Sequence, residues 1–446
     1  SKRVLQSAAV MGVQFYASIL QSLHGKLKTG INITDALKEF IDKDLIYKGT
    51  AGQYSFKHII SRDVIYEAIL NSNRKMLHRE IGFLLEDSFT KNQDLFYYDL
   101  AEHFDKAEQY EKAVVYLEKA GSKARGLFDN NNAAEYYQKL IYILENPDYT
   151  DNVLNLKKQK WKTRNKEEKN KLTAFISFQS DLGELYAVTG KWDHAENIYK
   201  SIFPAVKVVN DPLCLARFSN QYGHVFHLKG DFNKSTDWLN KGIQISRGKS
   251  VQPEYEDVLI DGLSLLGSLY IDEGHLDNAE NVFLELHKLI SKKEDPMSLT
   301  QLNGQLGVLY LRQGKMSESY AHFEKQFSKC RKYGYKNQSV RALANMGVIN
   351  NIQGDFKKAI KLFSKVIQIA EEMGDRRVAG QMYGNLGLAY FQMHNYDLAL
   401  KYMHTLLSIS TKLNDKNSMI SVNNNIGYTH FELGSYEKAI QHCLDS

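Results

Sequence analysis

A short polar stretch near the N-terminus contains residue types that could do chemistry. Residues 56–70 read FKHIISRDVIYEAIL, so His58 lies close to Asp63, and His78 follows a short way on. A histidine beside a carboxylate can act as a general base, and two histidines can contribute to a metal site. On a helix, however, residues three or four apart are neighbours, so His58 faces Arg62 rather than Asp63.

The surroundings of this stretch favour packing over chemistry. No oxyanion loop accompanies a nucleophile, and no Cys or acidic ligand stands at metal spacing from His58 or His78. We therefore predict no catalytic residue and no metal site in the chain. The stretch is predicted to be a helix with an apolar packing stripe, and His58 is expected to cap it or to bridge to the next helix near Arg74. The stripe consists of Phe56, Ile59, Ile60, Val64, Ile65 and Ile69.

The composition indicates a folded helical protein without extreme charge. Of 446 residues, 43% are hydrophobic and 24% are charged, and only 5 are proline, which long helices tolerate badly. The formal net charge of +5 is too dilute to indicate nucleic-acid binding. No apolar run approaches the ~20 residues needed to span a bilayer. We predict neither nucleic acid nor a membrane as a partner.

The cysteines and the chain ends bear on location and completeness. Cys214, Cys330 and Cys443 are far apart and form no CxxC pair. This usage indicates reduced thiols and an intracellular protein. We predict a cytoplasmic location, which includes a cytoskeletal or ciliary assembly. The first residues read as the middle of a helix and the last repeat is incomplete, so we expect the polypeptide to continue beyond Ser1 and Ser446.

Residues 173–446 contain a repeat that aligns seven times without gaps. Its first column is glycine in all seven copies, at steps of 40 residues with one step of 44. Seven residues later the second column is glycine in six copies and His394 in the other. Twelve residues after the first column, the third is Ala or Ser. The first column contains Gly183, Gly223, Gly267, Gly307, Gly347, Gly387 and Gly427, and the third contains Ala195, Ser235, Ala279, Ser319, Ala359, Ala399 and Ala439.

These columns predict stacked helical hairpins. The first and third columns lie inside helices, where small side chains let two helices approach closely. The second column lies where a helix ends and the chain favours positive φ. Aromatic residues such as Tyr186 and Phe283 fill neighbouring core positions. One hairpin cannot bury its apolar face alone, so the copies must stack into an α-solenoid.

The pattern resembles the tetratricopeptide repeat, although the family's usual period is ~34 residues. The resemblance implies an all-α fold whose first helices line a groove for a protein partner. In peptide-binding relatives, an Asn two residues before the first-column glycine bonds to the backbone of an extended peptide. Asn345, Asn385 and Asn425 stand at that position here, and Arg341 adds a positive charge. An Asn that bonds within its own hairpin is the alternative.

The same family also offers a receptor for chaperone tails, which this sequence disfavours. The groove positions that would form a Lys/Asn clamp for a C-terminal carboxylate hold Ser180, Asn220, Ser264 and Gly304. The predicted partner is therefore a peptide or helix bound along the groove rather than a free carboxyl terminus.

Residues 1–90 follow a different pattern, which predicts a winged-helix domain. Two short helices precede the segment ITDALKEFIDKD, whose helix we expect to begin at Thr34 as the N-cap. LIYKG and QYSFK then flank a turn and read as a β-hairpin. The third helix of such a domain can bind in the major groove of DNA, but here it carries more acidic than basic residues. A packing module is the better interpretation.

Two further segments separate this domain from the repeats. Residues 91–150 keep the spacing of Ala and aromatic residues but lie outside the 40-residue register, so we predict degenerate helical hairpins. Residues 151–172 are rich in lysine and form a charged connector. We interpret it as a solvated linker or an exposed first helical turn rather than a patch for an acidic partner.

The N-terminal part resembles a stretch of signalling ATPases of the STAND type. It is most similar to those fused to class III adenylate/guanylate cyclase domains, including the soluble adenylyl cyclase group. The resemblance rests on AAVMGVQF and YSFKHIISRDVIYEAILNSNRKMLHREIGFLLE and covers roughly the first 145 residues. The matching positions are Ala8, Ala9, Gly12, Phe15, Phe56, His58, Tyr66, Arg74, His78 and Glu86.

The resemblance implies a cyclase region and a P-loop NTPase module N-terminal to this segment. ATP and Mg²⁺ would be cofactors of that parent protein, and the segment itself would have none. No GxxxxGK[ST] motif occurs, since Leu185 stands where TGKW at 189–192 would need a glycine. By the same resemblance, His58 would face the upstream NTPase module and sense its nucleotide state.

The sequence therefore predicts a non-catalytic regulatory or scaffolding segment of a larger signalling ATPase or adenylate/guanylate cyclase. The segment would bind protein partners through its repeat groove. Two alternatives stay open at this point. One is a free-standing tetratricopeptide adaptor in a multiprotein assembly, and the other is a transcription regulator that combines an ATPase with repeats.

Overall fold

The chain is almost entirely helical, as the sequence predicts. The computed structural model describes residues 1–50, 52–89, 93–127, 129–146, 166–293, 295–413 and 415–444. This part of the chain contains 22 α-helices and three short strands. It divides into two compact units, Ser1–Asp231 and Phe232–Ser446, and the boundary falls inside the second copy of the repeat.

The first unit combines a small sheet with a series of helices. A 3₁₀ helix, Gln93–Phe96, precedes α6. The other elements are α1 (Lys2–Met11), β1 (Gln14–Tyr16), α2 (Ala17–Lys26), α3 (Ile33–Asp42), β2 (Ile46–Lys48), β3 (Gln53–Phe56), α4 (Ile59–Glu67), α5 (Asn71–Ser88), α6 (Tyr97–Lys106), α7 (Tyr110–Gly126), α8 (Asn130–Glu145), α9 (Lys166–Val188), α10 (Trp192–Val209) and α11 (Pro212–Lys229).

The second unit consists of consecutive antiparallel helices joined by short turns. Its elements are α12 (Phe232–Arg247), α13 (Pro253–Glu273), α14 (Leu276–Lys293), α15 (Pro296–Arg312), α16 (Met316–Tyr333), α17 (Lys336–Ile352), α18 (Phe356–Glu372), α19 (Arg376–Gln392), α20 (Tyr396–Leu413), α21 (Lys416–Glu432) and α22 (Tyr436–Leu444).

The N-terminal residues form three helices and an antiparallel sheet with strand order β1-β3-β2. The predicted hairpin is β2 and β3, with Tyr47 opposite Ser55. Strand β1 was not predicted, because its three residues are too few to show a period of two and its partner β3 is distant in sequence. Phe15 of β1 is 1% exposed and packs against Phe56 in the core of this region.

The predicted N-cap of α3 is wrong. Asn32, not Thr34, caps this helix: its side-chain oxygen accepts hydrogen bonds from the backbone N–H of Thr34 (3.0 Å) and of Asp35 (3.4 Å). Both residue types are good caps, so propensity alone could not decide between them. The earlier start places Ile33 inside the helix, where its side chain is buried in the core.

The predicted apolar stripe of α4 is also wrong in part. Ile59, Ile60 and Val64 are 61%, 77% and 66% exposed. The opposite face of α4 packs inward instead, since Ile65 contacts the N-terminal core and Arg62 Nε donates a hydrogen bond to the backbone oxygen of Ala9 over 2.8 Å. Helix α4 therefore presents an apolar surface outward within the part of the chain that the structure describes.

Helical hairpins begin earlier than the 40-residue register suggests. A Cβ atom at Gly121 of α7 would lie 3.2 Å from the ring of Tyr137 of α8, and one at Gly82 of α5 would lie 3.0 Å from the ring of Phe104 of α6. The described residues of the predicted degenerate hairpins are therefore largely helical, but α5 already takes part in one of the hairpins. Residues 91–92, 128 and 147–150 lie outside the described residues.

The predicted charged connector is described only at its end. Residues 151–165 lie outside the described residues. From Lys166 onward the chain is helical in α9, where Lys171 pairs with Glu167 at 2.6 Å and Leu172 is buried. The end of the predicted connector is thus the exposed first turns of a helix, followed by the first buried residue of the repeat.

The repeat columns behave as the sequence predicts. A Cβ atom at Gly267 would lie 2.2 Å from Phe283 Cε1, and the corresponding distance from Gly347 to Phe363 Cε1 is 2.5 Å, so these hairpins require glycine for close approach. The second column adopts positive φ in every copy. These residues are Gly190, Gly230, Gly274, Gly314, Gly354, His394 and Gly434.

Two further observations concern the sequence predictions of location. No helix among the described residues combines the length and apolar character that crossing a membrane requires. None of the three cysteines forms a disulfide, and burial raises the pKa of Cys214 and of Cys330 to about 11.

The close approach at the first column generates a stability prediction. Gly267→Ala should lower the free energy of unfolding by about 1–3 kcal/mol, because the new methyl group overlaps the ring of Phe283 and forces the two helices apart. Urea unfolding followed by circular dichroism measures the change. Gly126→Ala is the matched control: a Cβ there meets nothing within 4 Å, so stability should be unchanged or rise by up to ~1 kcal/mol. Equal stability of Gly267→Ala and the native protein would contradict this account.

Candidate functional site

The second unit contains a polar cavity on the face formed by the first helix of each hairpin. The cavity has a volume of about 300 Å³ and opens between α13, α15 and α17, with α16 behind. We call it the carboxamide cavity, because side-chain amides dominate its lining. Its polar residues are Ser268, Asp272, Gln301, Gln305, Gln326, Gln338, Arg341 and Asn345, and its apolar residues include Ile271, Val308 and Phe323.

Two amides in this cavity are held in place by the chain. The Gln305 amide nitrogen donates to the Ser264 backbone oxygen (3.0 Å), to Ser264 Oγ (2.8 Å) and to Ser268 Oγ (2.9 Å), which joins α15 to α13. Gln326 is 7% exposed and reaches the cavity beside Gly304, where a Cβ would lie 2.5 Å from its amide nitrogen. Glycine at position 304 thus makes room for the Gln326 side chain.

The same two amides each present an unused acceptor. The Oε1 atoms of Gln305 and Gln326 are buried and have no hydrogen-bond partner among the described residues. A buried carbonyl oxygen without a donor costs about 1–3 kcal/mol, so such atoms are uncommon in folded proteins. A backbone N–H group of a bound segment would satisfy them.

The structure brings two of the predicted site residues to this cavity. Arg341 and Asn345 both line it, one turn apart on α17. Arg341 is exposed, Asn345 is half-buried, and neither side chain forms a hydrogen bond or ion pair with the described residues. The alternative in which this Asn bonds within its own hairpin therefore has no support at position 345.

The other two predicted asparagines lie elsewhere. Asn385 on α19 and Asn425 on α21 are half-buried and do not line the carboxamide cavity. The Asn385 amide nitrogen lies 3.8 Å from Met382 Sδ, a weak contact within the same helix. Gln305 is at the equivalent position one repeat before Asn345. It was not predicted as a site residue, because the predicted column consists of asparagines and glutamine carries the same amide on a longer side chain.

A larger cavity of about 750 Å³ occurs in the first unit, between α5, α6 and α8. It is lined by Tyr66, from the polar stretch 56–70, and by His78. The sequence did not place either residue at a cavity. Its cations are paired within the chain, as Arg74 with Glu67 (2.9 Å) and Lys75 with Glu108 (2.5 Å). The carboxamide cavity, with its unsatisfied acceptors, is the better candidate for a ligand.

His58 and His78 have different environments. His58 precedes α4 as its N-cap residue, is exposed, and forms no side-chain cap hydrogen bond, so the predicted capping role is wrong. His78 is 1% exposed and joins two elements: its Nε2 lies 3.0 Å from the Tyr66 hydroxyl, and its Nδ1 lies 2.8 Å from Nδ1 of His103 on α6. The bridging role expected of His58 thus belongs to His78.

The buried histidine pair is held neutral. Burial, more than any charge, lowers the pKa of both His78 and His103, and the nearby cations Lys106 and Arg62 lower each pKa further. Glu102 opposes this effect at His103. One Nδ1 atom must carry the shared proton and the other must accept it, so protonation of both rings would break the contact.

The comparison with known families identifies the repeats. Residues 298–372 and 378–443 match the Tetratricopeptide repeat family. These residues include most of α15–α22, so this part of the second unit matches tetratricopeptide repeats, as the sequence predicts. No curated protein matches the chain.

Solved structures with the same fold include regulators from several systems. A Signal Transduction ATPase with Numerous Domains (STAND) protein with a tetratricopeptide repeat sensor, from Pyrococcus horikoshii, has 13% identity and a TM-score of 0.54, covering 99% of this chain and 62% of that one. The chain thus spans less than two thirds of the length of that STAND protein.

Two Rap proteins are similar over most of their length. A Rap protein complexed with Competence and Sporulation Factor has 14% identity and a TM-score of 0.51, covering 83% of this chain and 90% of that one. The Rap conjugation gene regulator of plasmid pLS20, in complex with the Phr* peptide, has 12% identity and a TM-score of 0.51, covering 77% and 91%. At these identities the likeness shows the fold.

The histidine pair generates a prediction on pH dependence. The unfolded chain binds protons at these histidines below pH of about 6.5, whereas the folded chain does not, so stability falls as the pH drops below that value. Each histidine contributes a slope of up to about 1.4 kcal/mol per pH unit. In His78→Gln/His103→Gln, the free energy of unfolding should fall less steeply between pH 6.5 and 5 than in the native protein.

Urea unfolding at several pH values measures this slope, which is compared rather than the absolute stability. The exposed residue His194 provides the control, since His194→Gln should leave the slope unchanged. An unchanged slope in the double variant would show that these rings do not resist protonation in the folded state.

Proposed function

We propose that this chain is a non-catalytic regulatory and scaffolding segment of a larger signalling ATPase or adenylate/guanylate cyclase. In this proposal the repeats bind a protein partner in an extended conformation. The observation that carries the partner site is the carboxamide cavity, where buried amide oxygens without donors lie beside Arg341 and Asn345.

The lining of this cavity suits an extended peptide. Side-chain amides can donate and accept at once, so they complement the alternating N–H and C=O groups of a peptide backbone. Ile271 and Val308 supply apolar surface for one side chain of the peptide. Arg341, which forms no ion pair with the described residues, would attract an acidic residue next to it.

Proteins of the same fold make such a role plausible. One Rap protein is complexed with Competence and Sporulation Factor, and another is in complex with the Phr* peptide. The fold alone does not transfer their partners to this chain. The support that comes from this chain is its own cavity, which contains buried amide oxygens that have no donor among the described residues.

The proposal of a larger parent has separate support. The chain is similar in fold to a STAND protein with a repeat sensor, and it spans 62% of that protein's length. ATP and Mg²⁺ would act in an NTPase module of the parent, and a cyclase domain is proposed from the sequence resemblance. The alternatives are a free-standing tetratricopeptide adaptor and an ATPase–repeat transcription regulator. P-loop and cyclase motifs before Ser1 would support the proposal, their absence would support the adaptor, and a basic helix-turn-helix after Ser446 would support the transcription regulator.

The outward face of α4 is the proposed contact with the parent. The helix and strand order in residues 2–56 supports a winged-helix domain, and Ile59, Ile60 and Val64 form an exposed apolar patch on the helix that follows. We propose that an NTPase module of the same polypeptide covers this patch. His58 lies at the end of the patch, and its role as a nucleotide-state sensor is part of this proposal.

The groove proposal predicts peptide binding that depends on Arg341 and Asn345. A random-peptide phage library selected on the native protein should yield peptides with an acidic residue. Arg341→Ala/Asn345→Ala should weaken their binding by about tenfold or more, because a charge-assisted bond and a backbone bond are lost. Arg341→Glu should bind peptides whose acidic residue is changed to Lys.

The exposed Arg312 at the end of α15 does not line the cavity and provides the matched control. Arg312→Ala should bind the selected peptides within about twofold of the native protein. A selection that enriches no peptide, or peptides that bind both variants equally well, would reject the carboxamide cavity as the partner site.

The proposed contact between α4 and an NTPase module predicts that the amides of α4 exchange hydrogen at different rates with and without this module. In a polypeptide that includes the proposed NTPase module, amides of α4 should exchange at least about tenfold more slowly than in residues 1–446, because the module would cover the helix. Ile60→Asp/Val64→Asp should remove this protection. Val251→Asp, at a valine that is 98% exposed, is the matched control and should preserve it. Equal exchange of α4 in both lengths would exclude the contact.

A further inference from the structure

We propose that the last three helices carry a three-histidine site for a divalent transition-metal ion, with Zn²⁺ as the expected ion. The histidines are His404 on α20, His430 on α21 and His442 on α22. One ring nitrogen of each lies within 4.8 Å of the nitrogens of the other two. The site joins three consecutive helices at the C-terminal end of the second unit.

His430 provides an independent indication of a ligand. Its side chain is buried, at 9% exposure, and its buried Nδ1 atom has no hydrogen-bond partner among the residues that the structure describes. A buried imidazole nitrogen that lacks a partner is costly, and a metal ion bound by the cluster is one way to use the ring. His430 also departs from the repeat pattern, since Tyr390 stands at the same position one copy earlier.

The preceding copy shows what simple packing looks like at this place. There Tyr390 and Tyr402 stack with ring centroids 5.5 Å apart and ring planes at 14°. His430 and His442, at the equivalent positions, stack at 5.7 Å and the same angle. Both pairs satisfy the same packing geometry, but the last copy has exchanged two phenol rings for two imidazoles. The third imidazole, His404, lies in the same copy as Tyr390 and Tyr402. The equivalent position one copy before that is Ser364.

The His442 ring is oriented for coordination. Its Nδ1 atom lies 3.3 Å from Asn423 Oδ1, an oxygen that can only accept, so Nδ1 carries the proton and Nε2 keeps its lone pair. Metal-binding histidines are commonly held in this way, by a hydrogen bond from the other ring nitrogen to an oxygen. Asn423 thus selects the tautomer that can bind a metal.

The ligand set defines the class of metal. Three neutral imidazoles suit Zn²⁺, Co²⁺, Ni²⁺ or Cu²⁺ and disfavour the hard ions Mg²⁺ and Ca²⁺. Zn–N bonds of about 2.0–2.1 Å require the nitrogens to draw closer than they lie here, which small rotations of the exposed His404 and of α22 can provide. Helix α22 has Ala439 as its one buried residue in the described part of the chain.

The expected effect of the ion is to fasten α22. Three protein ligands leave a fourth coordination position for water or for a group from a partner. The sequence predicts no metal site because its potential ligands are not close together along the chain. His404, His430 and His442 are 26 and 12 residues apart and meet only through the packing of three helices.

The test is a metal titration of tag-free protein in a Cys443→Ser background, which removes the adjacent thiol as a competing ligand. One Co²⁺ per chain should bind with visible d–d bands, and Zn²⁺ should displace it. In His430→Tyr/His442→Tyr, binding should weaken by more than about 100-fold. This variant restores the ring pair of the preceding copy, so it should fold. Circular dichroism and hydrogen exchange of α20 and α21 check that it does.

A second measurement reports the structural effect. Saturating ZnCl₂ should slow amide exchange in α22 at least about tenfold in the Cys443→Ser protein and leave it unchanged in the tyrosine variant. His287→Gln, at an exposed histidine outside the cluster, should bind Co²⁺ normally. The proposal is overturned if no Co²⁺ binds with one-to-one stoichiometry, or if the tyrosine variant binds it as tightly as the Cys443→Ser protein.

Discussion

In most of the hairpins, a glycine on the first helix packs against a large side chain, usually aromatic, sixteen residues later, and this contact determines how closely the two helices approach. At Gly267 and Phe283, and again at Gly307 and Phe323, no Cβ atom fits without movement of the ring. Close approach allows dispersion contacts along the whole length of both helices. The same contact at Gly121 and Tyr137 shows that it organises the chain before the regular register begins. Because the spacing within each hairpin is fixed, equivalent positions of successive copies recur on the same face, and the differences between copies determine what each part of that face can bind.

Those differences are polar and local. In the middle of the second unit, Gln305 and Gln326 bring amides to a cavity where their oxygens have no partner in the described part of the chain, and Arg341 adds a cation that forms no ion pair there. At its C-terminal end, imidazoles replace the tyrosine pair without changing the stacking angle. In both places the packing that supports the fold is retained while the chemistry presented at the surface changes. This division between scaffold and surface is what allows one repeat to support different partners.

The N-terminal polar stretch divides in the same way between packing and surface. One face of α4 packs on α1 through Arg62 and Ile65, and Tyr66 reaches the buried pair of His78 and His103. The other face exposes three large apolar side chains, which is unusual for a helix in a compact unit. His78 thus belongs to a buried structural pair with His103. His58 is an exposed residue at the end of the apolar patch.

The sequence by itself determined the repeat, its helical hairpins, the positive φ of the second column and two residues of the candidate site, Arg341 and Asn345. These features are local or strictly periodic, so spacing and residue type are sufficient to predict them. Tertiary structure alone decided which face of α4 is buried, that Gln305 and Gln326 complete the cavity, and that His404, His430 and His442 meet. The physical reason is that each of these depends on how far apart two or three helices lie and how they are turned. A one-dimensional pattern shows which face of a helix is apolar, but it does not show what covers that face.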